Sequence, residues 1–156
     1  MTFCRSKTHF SGGNRRFAPI LSNLQVCREW RGRRAIMDIL HCDLNNFYAS
    51  VEQVLNPTLV GKYVAVCGDP KKRSGIVLAK NTAAKNLGVK TGDAIWQAKQ
   101  KCPELVCVAP HYEYYAHYSA RVREIYCRYT DRVECFGMDE CWLDVTHSRI
   151  FGTPME

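Results

Sequence analysis

From Met37 onward, apolar and polar positions alternate in short, sharply bounded blocks. Residues 38–43 form a brief apolar run that ends in a carboxylate, which predicts a buried strand delivering Asp43 to its tip. Asn45 or Asn46 then offers an N-cap for a helix reaching about Val54, stopped by Asn56-Pro57. Tyr63–Cys67 and Gly75–Ala79 read as strands on either side of a polar turn that holds Lys71-Lys72-Arg73. A helix is predicted from about Lys80 to Leu87, with Gly88 as its C-terminal glycine, and another from about Asp93 to Lys101, closed by Pro103. Leu105–Ala109 reads as a strand and 112–129 as a long helix. Arg132–Phe136 and Cys141–Val145 read as a hairpin around Gly137-Met138-Asp139-Glu140.

This order of strand, helix, mixed insertion, helix and strands predicts an α+β fold. Its helices would pack on one face of a sheet, in a split ferredoxin-like arrangement. Residues 1–36 carry neither period and are expected to be an unstructured leader outside the fold.

Charge sharpens that division. The formal net charge is +7, which invites a nucleic-acid reading. Residues 1–36, however, hold eight Lys/Arg against Glu29 alone, and from Met37 onward basic and acidic residues balance at fourteen each. Three readings of the leader stand: a transit peptide, a basic DNA-binding tail, or upstream sequence translated from a wrongly chosen start codon. The third is favoured, because Arg31-Gly-Arg-Arg34 can be written in the purine-rich codons of a ribosome-binding site just before Met37.

Nine cysteines, an odd count at irregular spacing with no Cys-x-x-Cys, argue against a disulfide framework or a zinc site. They are expected to be small buried hydrophobes in a reducing cytoplasm. No apolar run approaches the ~18 residues that a membrane helix needs, so no membrane partner is expected.

The candidate chemistry is carboxylate chemistry. Asp43 at a strand end and Asp139-Glu140 at a hairpin tip are hard oxygen ligands of the kind magnesium takes. Phosphoryl transfer uses two such ions about 3.5–4 Å apart. Neighbours on a regular strand point to opposite faces, so Asp139 and Glu140 converge only if the backbone bends at Gly137. Taken alone, the same residues read sooner as solvated carboxylates at a turn.

The surrounding residues narrow this choice. His41-Cys-Asp43-Leu-Asn-Asn-Phe-Tyr-Ala-Ser-Val-Glu52 and Phe136-Gly-Met-Asp139-Glu140-Cys-Trp-Leu-Asp144 resemble the two acidic motifs of Y-family DNA polymerases of the DNA polymerase IV (DinB) type. Asn56-Pro-x-Leu-x-Gly-Lys62, Val64-Ala-Val66 and Gly88-Val-Lys-x-Gly92 are similar to that family in order and spacing, so the likeness runs from about Met37 to Val145.

The resemblance implies a ferredoxin-like polymerase palm (37–55 and 111–156, incomplete) with a small fingers insertion (56–110), truncated before the rest of the palm, the thumb and the little finger. It implies translesion or repair DNA synthesis. Asp43, Asp139, Glu140 and the Leu44 carbonyl would hold two Mg²⁺ ions. Tyr48 would be a steric gate against a 2′-hydroxyl, and Asn46, Phe47, Thr82 and Lys85 would lie along the nucleotide.

Many relatives carry Tyr and Arg where Thr82 and Lys85 stand, and Lys offers a point charge rather than a bidentate fork. Core packing remains open for Phe47 and Tyr48, and a solvated helix face for Lys85. Tyr112, Tyr114, Tyr115, Tyr118 and Tyr126 are expected to pack rather than to stack on bases. Implied partners are primer–template DNA, dNTP and a sliding clamp reached through a more C-terminal part, in the bacterial cytoplasm or nucleoid. A catalytically inactive fragment and a nucleotidyl cyclase-like palm are the competing readings; the second has no use for the Phe47-Tyr48 motif.

Overall fold

The computed structural model describes residues 38–68 and 75–146, together with the backbone of 24–29. The chain divides into two compact units, Met1–Asn45 with Ala116–Glu156, and Asn46–Tyr115.

In the first unit, β1 (Leu24–Glu29), β2 (Ile39–Leu44), β6 (Val133–Phe136) and β7 (Glu140–Asp144) form one sheet in the order β1-β2-β7-β6. Every pairing in it is antiparallel. β1 corrects the expectation for the leader at six positions: 24–29 pair with β2 from Leu24↔Leu44 to Glu29↔Ile39. The remainder of 1–36 lies outside the described residues.

Alternation decides which face of this sheet is covered. Cys42 and Leu44 of β2 and Cys141 and Leu143 of β7 are buried, while His41, Asp43, Glu140 and Trp142 point the other way and stay partly exposed. On the covered side lies the long helix Tyr112–Tyr126, here α4, whose buried Tyr126 reaches Cys42 and Cys141. Ser119, Val122 and Tyr126, at helical spacing, form its buried stripe. The boundary between the two units falls within this helix, after Tyr115.

The second unit contains α1 (Phe47–Leu55), a 3-10 turn (Pro57–Leu59), β3 (Val64–Cys67), β4 (Val77–Lys80), α2 (Thr82–Asn86), α3 (Ile95–Lys101) and β5 (Val106–Val108). Its own sheet runs β4-β3-β5, with β3 antiparallel to β4 and parallel to β5. β3 is buried on both faces, as a central strand covered on both sides must be. Ala65, Cys67, Val77, Ala84, Val89, Ala98, Cys102 and Leu105 make one core.

Asn81 fastens the helix to the sheet. Its Oδ1 accepts from Val64 N at 3.2 Å and from Ala84 N at 3.0 Å, and its Nδ2 donates to the Lys62 carbonyl at 2.7 Å. α2 ends as its glycine predicts. Gly88 lies at φ +85°, its N–H donating to Lys85 O, while Val89 N donates to Ala84 O. That pair of bonds is a Schellman closure, which a residue with a Cβ adopts only under strain.

The cysteine expectation holds at Cys42, Cys67, Cys102 and Cys141, which are buried free thiols. It fails at Cys127 and Cys135, which are exposed: one sits in the turn after α4 and the other on the outer strand β6. Tyr115 and Tyr126 pack fully buried, while Tyr112 and Tyr114 stay exposed, the first edge-on to Tyr115 and the second edge-on to His111. The Lys71–Arg73 turn lies outside the described residues.

Candidate active site

The three acidic residues named from the sequence meet at one end of the two central strands of the four-stranded sheet. Asp43 is the cross-strand partner of Glu140, and Leu44 N donates to the Asp139 carbonyl at 3.0 Å. That bond makes Asp43/Glu140 a non-hydrogen-bonded antiparallel pair, the kind whose side chains approach most closely. Asp139 precedes β7, in the three-residue connection from Phe136. Gly137 turns there at φ +76°, a left-handed backbone at the position where the bend was expected. A Cβ on Gly137 would stand 3.7 Å from Asp139 Oδ1. A turn, rather than a regular strand, therefore allows two consecutive acids to reach one end of the sheet.

Electrostatics records their proximity. Burial first, then the charges of Asp139 and Glu140, push the Asp43 carboxyl above its ordinary value of 3.8, with His41 opposing. Asp139 is likewise raised, by burial and then by Glu140. His41 Nε2 lies 4.0 Å from Glu140 Oε2, and its ring stacks on Trp142 with centroids 4.2 Å apart. Beneath them, burial holds the Tyr126 phenol in its neutral form, with Cys42, Cys141 and Asp43 adding to the effect. Among the described residues no three His, Cys, Asp or Glu side chains already stand in a metal-holding arrangement. The donor set nonetheless suits a hard divalent cation: three carboxyls that repel one another, on backbone fixed by a ladder bond.

The nucleotide candidates all belong to the other unit. Asn46 takes the N-cap position of α1 in a left-handed conformation (φ 59°, ψ 29°) without a side-chain cap. Its Nδ2 instead donates to Thr82 Oγ1 at 3.0 Å, joining the starts of α1 and α2. Thr82 and Lys85 are both exposed. Phe47 is buried, so packing describes its side chain, and only its backbone can face a ligand. Tyr48 is partly buried, stacked on Tyr115 at 4.3 Å and 12° and edge-on to Tyr112.

Two features here escape sequence reading. Lys80 shares the neighbourhood of Lys85: burial first, then the Lys85 charge, lowers its ammonium from the ordinary value. Glu52, almost fully buried, accepts the Tyr115 hydroxyl and sits 3.0 Å from His111 Nδ1. Glu52 belongs to the first motif, but its partners lie about 60 residues away and share no pattern with it.

The impB/mucB/samB family matches residues 42–154. The chain belongs to this family. DNA polymerase IV of Acetivibrio thermocellus is 60% identical over 112 residues, which are 72% of this chain and 28% of that protein. DNA polymerase IV 2 of Halalkalibacterium halodurans is 47% identical over 119 residues, 76% of this chain and 29% of that one. Among solved structures, DinB from Sulfolobus solfataricus superposes with a TM-score of 0.65 at 34% identity. An insertion ternary complex of Dbh DNA polymerase superposes at 0.64 and 35% identity.

These matches cover 70% and 69% of this chain and 32% of each neighbour, so the chain spans less than a third of the relatives it resembles. The mixed α+β architecture matches the Y-family palm, and membership of this family implies use of a divalent metal in general terms. No helix among the described residues is long and apolar enough to cross a membrane.

Proposed function

We propose that this chain carries the nucleotidyl-transfer site of a translesion or repair DNA polymerase, adding a deoxynucleotide to a primer 3′-hydroxyl on template DNA. The observation that carries this reading is the close Asp43/Glu140 pair beside Asp139, at one end of the central strands of an impB/mucB/samB chain. In it, Asp43, Asp139 and Glu140, with the Leu44 carbonyl, hold two magnesium ions. Magnesium bound there would favour the ionised 3′-hydroxyl and offset the negative charge that develops on the phosphoryl oxygens.

The chain's own residues then orient the substrates. Tyr48, its ring held against Tyr115, lies under the sugar and excludes a 2′-hydroxyl. Thr82 and Lys85, with Asn46 tied to Thr82, supply hydroxyl and ammonium donors to the triphosphate. Phe47 contributes its backbone. Residues 37–55 and 111–156 are assigned as palm and 56–110 as fingers, the fingers falling inside the Asn46–Tyr115 unit. We place the protein in the bacterial cytoplasm, with primer–template DNA and dNTP as partners. A sliding clamp is proposed with no contact assigned to the described residues.

The test is single-nucleotide primer extension by the full chain with Mg²⁺ on an undamaged primer–template. Incorporation should vanish in Asp139→Ala, and Tyr48→Ala should raise ribonucleotide relative to deoxynucleotide incorporation. A folded chain that incorporates nothing would overturn the reading in favour of an inactive fragment of the same family.

A further inference from the structure

β6 and β7 carry a second chemical feature that the polymerase reading leaves unused. Cys135 and Cys141 are cross-strand partners, with their sulfurs 3.7 Å apart. Their place in the ladder follows from the backbone bond at the far end of the hairpin. Asp144 N donates to Arg132 O at 3.1 Å, so alternate residues of β7 (Glu140, Trp142, Asp144) face β6 with their backbone bonds. Cys141 lies between them, which makes Cys135/Cys141 a non-hydrogen-bonded pair. Such pairs place their Cα atoms about 4.5 Å apart, inside the range a disulfide spans. Side-chain rotation alone can close the remaining gap to a bond of about 2.05 Å. The two thiols also differ in access, Cys135 being exposed and Cys141 buried, and both are free.

We propose that Cys135 and Cys141 form a reversible oxidative modification site that takes a hydroperoxide as oxidant. The exposed Cys135 thiolate attacks the peroxide, so that an S–O bond forms, the O–O bond breaks and water leaves, giving a sulfenic acid. The Cys141 thiol then attacks that sulfur; S–S forms, S–O breaks, and the hydroxide leaves with the thiol proton as water. Two thiols and one hydrogen peroxide thus become one disulfide and two waters, and a dithiol reductant reverses the change. The bond closes a loop over residues 136–140, so the modification locks the hairpin carrying Asp139 and Glu140.

The test uses the reduced full chain, treated with a small excess of hydrogen peroxide, then alkylated and digested with trypsin. Residues 133–149 contain no Lys or Arg before Arg149, so both cysteines fall in one peptide. That peptide should appear lighter by two hydrogens and protected from alkylation at both positions, and a dithiol should restore it. Cys127, exposed but in a turn, should remain alkylated under the same dose. Cys135→Ser should leave Cys141 fully alkylated while the circular dichroism spectrum is unchanged. An alkylated peptide, an oxygenated Cys135 beside an alkylated Cys141, or a disulfide to any other cysteine would overturn the proposal.

Discussion

Asn81 provides the sharpest test of how the second unit is held together. Substituting alanine removes three hydrogen bonds at once, and their costs differ. Loss of the Oδ1 contact to Ala84 N removes the N-cap of α2, worth about 1 kcal/mol. Loss of the contact to Val64 N strands a donor on a strand residue with 0% exposure, at about 1–3 kcal/mol. The Lys62 carbonyl, on an exposed residue, can turn to water and adds little. Asn81→Ala should therefore lower stability by about 2–4 kcal/mol. Asn81→Ser keeps a short acceptor for the cap but cannot reach Val64, so it should recover about 1 kcal/mol of that loss.

Urea unfolding followed by far-ultraviolet circular dichroism measures the total. Native-state hydrogen exchange at the Val64 and Ala84 amides assigns the loss to this unit. Serine should restore protection at Ala84 and leave Val64 exchanging fast. If both variants lose less than about 1 kcal/mol, the amide clasp is not what joins α2 to β3.

Two further outcomes follow from the same accounting. Asp43 is raised in the folded chain, so the folded state binds its proton more tightly than the unfolded state. Stability contributed at this position accordingly falls as pH rises from below 3.8 through the raised value. Without divalent cation, Asp43→Asn should raise the melting temperature at neutral pH and lose that advantage below pH 3.8; equal melting temperatures at neutral pH would refute the view that burial and the neighbouring carboxylates disfavour the ionised Asp43. Tyr115→Phe removes a donor from the buried Glu52 carboxyl and should cost about 1–3 kcal/mol in thermal unfolding, and a change within about 0.5 kcal/mol would show that His111 alone satisfies Glu52.

The elements from β2 through β7 were legible because their signals are local. The apolar run before Asp43 marks β2, Pro57 ends α1, and Gly88 closes α2 within a residue or two of prediction. The acidic motifs were legible for the same reason, each lying in a short contiguous stretch. β1 was not: Leu24–Glu29 shows no period of two, and what makes it a strand is pairing with β2. An edge strand with one neighbour is under less demand for alternation than a strand covered on a face. The Glu52–His111–Tyr115 cluster was hidden because it depends on a fold that brings α1 to the start of α4. The carboxylate cluster was legible in composition but not in register; the bond from Leu44 N to Asp139 O joins β2 to the distant turn before β7 and is a property of the folded sheet alone.

Where local rules break, they break at the residues that the proposed chemistry needs. Asn46 occupies an N-cap position without capping, and it is the only non-glycine with positive φ among the described residues. Asparagine adopts that conformation at less cost than most residues, and its amide is free to hold Thr82 because it does not hold the helix. Asp43, Asp139 and Glu140 crowd like charges at one end of the sheet, where a sequence chosen for stability alone would alternate them with neutral residues. Both departures cost folding free energy and gain nothing in packing. The sites where sequence patterning and local stability disagree are therefore the start of α1, the end of β2 and the tip of the β6–β7 hairpin, and these carry Asn46 and the metal carboxylates of the proposed reaction. Cys135 and Cys141 lie beside that tip, Cys141 on the face opposite Glu140 and Cys135 exposed beside it, so oxidation there would act on the hairpin's backbone without occupying a single ligand position.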